Sequence, residues 1–182
     1  NGLIVRLDEY VFQKVCQKQK ERMEQGKVVL PVSVNLSRAT LHHDGIVERY
    51  AQIVYDNENS FESVPIELTE TAALYSIQIQ GLTEKMVNVG FKLHMDDFGS
   101  GYSSMTSLNV LPFHVLKLDK ALIDYIGNSR GDQVIQHTIA LAHGLDMKVL
   151  AEGVEKKEQA EFLRKMQCDE IQGFYYARPQ PY

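Results

Sequence analysis

The sequence predicts an α/β fold in which helices cover a parallel sheet, and three observations support this. Short runs rich in Val, Ile and Leu alternate with helical segments six times along the 182 residues, a pattern typical of parallel sheets. No GxGxxG motif follows the first strand, which disfavours an open dinucleotide-binding sheet. A closed (β/α)8 barrel needs about 250 residues, or ~31 per strand–helix unit. We therefore expect a TIM-like barrel with about six of its eight units.

The elements follow from the spacing of apolar residues along the chain. Ile4, Leu7, Val11 and Val15 recur at helical spacing and predict a first helix over roughly 4–25. The six predicted strands cover 27–37, 64–70, 91–97, 114–120, 148–154 and 169–174. The other predicted helices cover 39–57, 73–90, 131–146 and 156–167. We treat 1–182 as one incomplete domain. Because it opens inside a helix with no lead-in, we expect the two missing units to precede it.

Composition and charge exclude several classes of function. The net charge is −5, so we expect no DNA or RNA partner. Cys16 and Cys168 form neither a disulfide framework nor a CxxC zinc motif, and we expect both to be reduced, as in the cytoplasm. No apolar run approaches ~18 residues, so we expect no membrane-spanning segment within this chain.

One polar residue lies near the C-terminal end of every predicted strand. These residues are Asn35, Glu67, Asp96, Lys117, Glu152 and Gln172. In barrels of this kind, active sites form where the strands end. A single polar residue at a strand end often only meets solvent or caps the next helix, and that alternative stays open for each one. Because a polar residue lies at the end of every predicted strand, a shared site is favoured.

The charges of these residues indicate a metal site. Glu67, Asp96, Asp97 and Glu152 would bring four negative charges together against the single positive charge of Lys117. Such carboxylates repel one another, and a hard divalent cation with oxygen ligands relieves the repulsion. The adjacent Asp96 and Asp97 suit a frame for two ions ~3.5–4 Å apart. No histidine pair has HxxxH spacing, which disfavours zinc.

Glycines follow the paired aspartates in the segment HMDDFGSGYSS (94–104). Gly99 and Gly101 allow the chain to turn sharply and to approach a site closely. Such a loop could also become ordered on ligand binding, whereas the simpler interpretation is a tight turn. The DFG triplet also occurs in protein kinases, but no other kinase motif is present.

Six short motifs, taken together and in this order, resemble the EAL domain family of bacterial cyclic di-GMP phosphodiesterases. They are VNLS (34–37), ELTET (67–71), DDFGSGYSS (96–104), LKLD (116–119), AEGVE (151–155) and QGF (172–174). The resemblance covers nearly the whole chain. It implies a modified barrel, Mg²⁺ or Mn²⁺ as cofactor with two ions bound, and hydrolysis of cyclic di-GMP to linear pGpG.

The resemblance also implies a role for individual residues. The metal ligands would be Asn35, Glu67, Asp96, Asp97 and Glu152. The catalytic residues would be Asp97, Lys117 and Glu152, with Lys117 holding the nucleophilic water or the phosphate. Supporting residues would be Glu70, Phe98, Gly99, Ser100, Gly101, Asp119, Glu155 and Gln172. Contacts to the substrate would come from Tyr176, Arg178 and Pro179.

The Glu-Ala-Leu motif that names the family is absent from these residues. We therefore expect a fragment of a longer bacterial chain, with activity belonging to the complete domain. Expected partners are cyclic di-GMP, an upstream sensor or GGDEF domain in the parent chain, which could be membrane-anchored, and a second copy in a homodimer. Three alternatives stay open: an inactive cyclic di-GMP receptor, an interaction or dimerisation module, and an unrelated metal-dependent barrel lyase.

Overall fold

The computed structural model describes residues 2–73, 77–100 and 105–180, without the side chain of Met105. These residues divide into two compact units, one formed by the described part of 2–94 with 105–113 and the other by 95–100 with 114–180. The strands are β1 Val34–Asn35, β2 Ile66–Thr69, β3 Leu93–Phe98, β4 Val115–Leu118, β5 Lys148–Ala151 and β6 Glu170–Ile171. The helices are α1 Gly2–Glu24, α2 Arg38–Leu41, α3 Ile46–Asp56, α4 Ile77–Val89, α5 Met105–Val110, α6 Lys120–Ile123, α7 Ser129–Gly144 and α8 Lys157–Lys165, with a 3₁₀ turn at Phe61–Ser63.

The strands form one sheet in the order β1-β2-β3-β4-β5-β6, so each strand lies beside the next one in the chain. The pairs β1/β2, β4/β5 and β5/β6 are parallel. A parallel pair requires a crossover connection, and helices supply it between these strands. The predicted alternation of strands and helices is confirmed.

Every predicted strand is shorter in the structure, and the one expected over 169–174 is reduced to Glu170–Ile171. Two other predictions differ more in extent. The strand expected over 27–37 is reduced to β1. The N–H of Val32 still bonds to the Ser63 carbonyl at 3.0 Å, in step with the β1/β2 ladder, but Pro65 has no N–H with which to return a bond to this part of the chain. The helix expected over 39–57 is divided into α2 and α3. Gly45 has φ +72°, a left-handed conformation that a right-handed helix cannot contain, and it therefore separates the two helices.

An aromatic cluster forms the core of the first unit. Phe12 of α1 and Tyr50 of α3 are both 0% exposed, and their ring centroids are 4.4 Å apart. Phe91 extends the cluster with its edge toward Phe61, at 4.7 Å. Aromatic pairs of this kind bury large apolar surfaces and fix the angle at which helices pack. They hold α1 and α3 together in the unit that carries β1 and β2.

Both cysteines are free thiols in the structure. Burial raises the pKa of Cys16 to about 12 and that of Cys168 to about 11. A thiol with such a pKa stays protonated near neutral pH and is a weak nucleophile. No helix in the described ranges is long and apolar enough to cross a membrane.

Asp8 of α1 fixes the turn that follows β1. Its Oδ2 accepts a hydrogen bond from the N–H of Ser37 at 2.9 Å and another from the hydroxyl of Thr40 at 2.6 Å. Thr40 is 0% exposed, so its hydroxyl depends on partners within the protein. Asp8 therefore connects α1 to a turn that lies about thirty residues later in the chain, as loop-closing contacts do.

We expect Asp8→Ala to lower the free energy of unfolding by about 2 kcal/mol, because the Ser37 N–H loses its acceptor and the buried Thr40 hydroxyl loses a charged one, keeping its contact with the Ser37 hydroxyl at 3.0 Å. Urea denaturation of the variant measures the loss. Glu9→Ala is the matched control, since Glu9 is the next residue of the same helix and makes a partly exposed ion pair with Arg49. Such pairs contribute about 0–1 kcal/mol, so equal losses in the two variants would contradict the assigned role of Asp8.

Candidate active site

The central feature of the second unit is an ammonium group held between two carboxylates. Nζ of Lys117 lies 2.8 Å from Oδ1 of Asp96 and 3.0 Å from Oε1 of Glu152. The side chains of Lys117 and Asp96 are 8% and 11% exposed, and that of Glu152 is 23% exposed. Charges this deeply buried are costly unless they are paired. Three of the predicted site residues therefore form one cluster, which we call the Lys117 cluster.

The sheet explains why these three side chains meet. Asp96 lies in β3, Lys117 lies in β4, and Glu152 directly follows β5. Parallel strands present their C-terminal ends at the same edge, so polar residues near those ends come together. The N–H of Glu152 also donates to the carbonyl of Leu118 at 3.0 Å, which fixes the loop of Glu152 to the end of β4.

Asp96 has a buried oxygen that is suited to a cation. Its Oδ1 accepts no hydrogen bond from any described residue, although Nζ of Lys117 lies 2.8 Å away. The contact is a short ion pair, and the oxygen has a further lone pair beside the one that faces the ammonium. Oxygen donors of Asp and Glu fit Mg²⁺ or Mn²⁺.

The described residues do not, however, form a complete metal site as they stand. Within the described ranges, no three His, Cys, Asp or Glu side chains lie close enough together to hold a metal ion. In this arrangement the positive charge beside Asp96 and Glu152 is that of Lys117. A divalent ion would fit the oxygens of these two carboxylates if the ammonium group shifted to make room for it.

Asp97 has a strained backbone. Its φ is +59°, in the left-handed region, although it lies inside β3. This conformation is unfavourable for residues other than glycine, and Asp and Asn tolerate it better than most. It also interrupts the alternation of side chains along the strand. We placed Asp97 at the strand end, whereas the strand continues to the buried Phe98.

A turn follows β3 directly. The N–H of Ser100 donates to the carbonyl of Asp97 at 3.1 Å, and Gly99 has φ +96°, which explains the glycine at this position. A Cβ at Gly99 would lie 3.3 Å from Leu122, so this turn also passes close to α6. Gly101 and the rest of the DDFGSGYSS motif lie outside the described residues.

Backbone hydrogen bonds connect each loop of the second unit to the next one along the sheet. The N–H of Asp119 donates to the carbonyl of Phe98 at 3.1 Å, and the N–H of Gln172 donates to the carbonyl of Ala151 at 2.8 Å. Asp119 also caps α6, because its Oδ1 accepts from the N–H of Ala121 at 2.7 Å. Four of the six motifs thus lie on adjoining loops.

In the first unit, Asn35 and Glu67 are direct partners in the parallel register of β1 and β2. Glu67 is 5% exposed and accepts a hydrogen bond from the Ser33 hydroxyl. Asn35 is exposed and lines a cavity of about 610 Å³ together with Arg38. Glu70, on the turn after β2, is 3% exposed. Their roles as metal ligands or supporting residues stay predictions.

Exposed aromatic side chains gather near the C-terminal end of the described chain. Phe174, Tyr175 and Tyr176 are 53%, 41% and 52% exposed, and the guanidinium of Arg178 lies 5.2 Å from the centroid of the Phe174 ring. Pro179 is exposed as well. Sequence reasoning named Tyr176 and Arg178 but missed the two preceding aromatics, which the run FYY (174–176) could have indicated.

Comparison with curated proteins agrees with these motifs. The EAL domain family matches residues 1–179. The cyclic di-GMP phosphodiesterase NbdA of Pseudomonas aeruginosa is 35% identical over 183 residues, which cover 100% of this chain and 23% of NbdA. The cyclic di-GMP phosphodiesterase PdeR of Escherichia coli is 31% identical over 183 residues, covering 100% of this chain and 28% of PdeR. The chain thus spans about a quarter of the length of these relatives.

Solved structures give the same result for the fold. The PaMucR phosphodiesterase in its c-di-GMP complex is 31% identical, with a TM-score of 0.89, and the match covers 99% of this chain and 74% of that one. This likeness confirms the predicted α/β fold of the EAL type, a TIM-like barrel of which this chain holds six strands with their helices. With the family match over nearly every residue, the conclusion is that this chain belongs to the EAL domain family.

Proposed function

We propose that this chain supplies catalytic residues of a phosphodiesterase that hydrolyses cyclic di-GMP to linear pGpG in bacterial second-messenger signalling. The observation that carries the proposal is the Lys117 cluster, in which an ammonium lies within 3.0 Å of two carboxylates of the EAL motifs. The relatives named as cyclic di-GMP phosphodiesterases support the same substrate.

Each member of the cluster has a suitable chemical role. Nζ of Lys117 would donate to a non-bridging oxygen of the scissile phosphate and offset the negative charge that develops there. The side chain of Glu152 is the more exposed of the two carboxylates, and it would accept the proton of the attacking water as the bond from phosphorus to the leaving ribose oxygen breaks. Without a metal, Asp96 holds the ammonium through its buried Oδ1.

We include Mg²⁺ or Mn²⁺ in the proposal. The carboxylates of Asp96 and Glu152 would hold the metal once the ammonium of Lys117 has shifted aside, and the family resemblance adds Asn35, Glu67 and Asp97 as ligands. A bound divalent ion supplies Lewis acidity and lowers the pKa of coordinated water, which makes hydroxide available near neutral pH. The carboxylates of Asp96 and Glu152 would hold the ion beside the scissile phosphate, which Lys117 would also contact.

The test is an assay on the parent chain that contains these residues, with cyclic di-GMP and Mg²⁺ or Mn²⁺, followed by chromatography of the nucleotides. We expect conversion to the linear dinucleotide, and we expect excess EDTA to reduce the rate by a factor on the order of 100 or more, because the metal supplies the activated water. Asp124→Asn, which changes an exposed carboxylate of the same unit, is the control and should retain the activity.

The other outcomes separate the alternatives. A folded parent chain that binds cyclic di-GMP in calorimetry without converting it would be a receptor, and the catalytic proposal would fail. A chain that neither binds nor converts the dinucleotide would act as an interaction module instead. Conversion that persists in excess EDTA would remove the metal from the proposal.

A further inference from the structure

We propose that Lys120 is a positioning residue that holds the loop of Glu152 in place, a role that rests on the proposed function. Lys120 is the first residue of α6, and none of the roles inferred from the motifs was assigned to it. Gly153 follows Glu152 and has φ +66°. A Cβ at Gly153 would lie 2.6 Å from Cβ, 2.7 Å from Cγ and 2.9 Å from Cδ of Lys120. The alkyl stem of Lys120 therefore covers the backbone of Gly153 directly.

The ammonium end of Lys120 contacts the same loop. Its Nζ lies 3.4 Å from Oε1 of Glu155, which belongs to this loop. It also lies 3.0 Å from Oδ1 of Asp124, at the end of α6. These side chains are 43–52% exposed, and exposed ion pairs contribute little to stability. The apolar stem of a lysine, in contrast, can pack as firmly as a hydrophobic side chain. We therefore assign most of the effect to the stem.

The loop of Glu152 is held differently at its two ends. At the far end, the N–H of Val154 donates to the carbonyl of Gln172 at 3.1 Å, and the N–H of Tyr175 donates to the carbonyl of Val154 at 3.0 Å. At the near end, the N–H of Glu152 donates to the carbonyl of Leu118 at 3.0 Å. Between these bonds, the stem of Lys120 covers Gly153.

This arrangement determines where Glu152 can reach. Lys117 and Lys120 belong to one continuous segment, β4 followed by α6, so the residue that covers Gly153 is fixed relative to the ammonium that Glu152 contacts at 3.0 Å. Removing the stem would release Gly153, a residue with wide backbone freedom, and would loosen the carboxylate next to it. Residues that orient a catalytic group without touching the substrate often change activity by 10–100-fold.

The experiment compares Lys120→Ala, which removes the stem, with Lys120→Met, which keeps an unbranched stem and removes the charge. Both are made in the parent chain. Lys157→Ala is the control, because Lys157 makes an exposed ion pair with Glu161 within α8. We expect Lys120→Ala to lower kcat for cyclic di-GMP by roughly tenfold, in keeping with other residues that orient catalytic groups, with KM changed less than about twofold. Lys120→Met and Lys157→Ala should stay within about twofold of the unmodified chain.

Hydrogen exchange gives a second readout that needs neither substrate nor metal. The Glu152 amide should exchange at least about tenfold faster in Lys120→Ala, because local opening exposes it, while the Gln172 amide stays unchanged. If the unmodified chain shows no hydrolysis, the proposed function fails and this exchange alone decides the role of Lys120. Unchanged exchange at Glu152, an unchanged kcat in Lys120→Ala, or an equal loss in Lys120→Met would each overturn the inference.

Discussion

Replacing Lys117 with Met is expected to lower the free energy of unfolding of the metal-free protein by about 3–5 kcal/mol. The substitution preserves an unbranched side chain but removes the ammonium that Asp96 and Glu152 share at 2.8 and 3.0 Å. Two carboxylates would then remain next to each other in a largely buried position without the ammonium between them. Urea denaturation in the presence of EDTA measures the loss.

Two further samples show whether charge is the cause. The triple variant Lys117→Met, Asp96→Asn, Glu152→Gln removes all three charges and should recover more than half of the lost stability, because replacing every partner is far less costly than removing one. Millimolar Mg²⁺ should also stabilise Lys117→Met more than the unmodified protein, if the two carboxylates bind a cation. A loss below about 1 kcal/mol in Lys117→Met would show that the contacts of Lys117 with Asp96 and Glu152 behave like surface ion pairs.

Asp97→Asn is expected to reduce turnover of cyclic di-GMP by at least about 1000-fold while leaving the fold intact, since the loss of an essential catalytic group has effects of this size. Asn tolerates the left-handed backbone that Asp97 adopts at φ +59°, so the substitution removes the charge without adding strain. The rate is measured by chromatography of the product, and the stability by urea denaturation. Rates like those of the unmodified protein would remove Asp97 from the catalytic set.

Asp97→Gly tests the strain at the same position. Glycine adopts the left-handed conformation without steric cost, so we expect this variant to be equally inactive but to gain up to about 1 kcal/mol in stability. Asp124→Asn is the control for both variants, because Asp124 has an ordinary right-handed backbone and an exposed carboxylate. A loss of stability in Asp97→Gly would show that the carboxylate holds the native fold rather than serving activity.

The long elements could be predicted from the sequence because their apolar residues repeat over several turns. The first helix was expected over roughly 4–25 and runs from Gly2 to Glu24, and α7 begins at Ser129, two residues before the predicted start. The short helices α5 and α6 were missed, since a segment such as Lys120–Ile123 is too short to show a helical period. Their existence depends on caps such as Asp119, which look like ordinary loop residues in a sequence.

In the site as well, some features could be predicted from the sequence and others could not. Asp96, Lys117 and Glu152 could be predicted to meet, because strand ends in a parallel sheet lie at one edge. The left-handed backbone of Asp97 could not, since alternation along a strand assumes a regular backbone. Lys120 was missed for another reason: its contact with Gly153 joins residues more than thirty positions apart and depends on the close approach of two loops.

The bonded pair of loops near the C-terminal end has a consequence for engineering and for divergence among relatives. Gly173 passes so close to Val154 that a Cβ would lie 2.1 Å from its carbonyl oxygen and 2.3 Å from its nitrogen. Position 173 can therefore hold only glycine while the backbone of Val154 stays where it is. A chimera that imports residues 172–175 from another EAL protein should fold only when the donor also has glycine at this position.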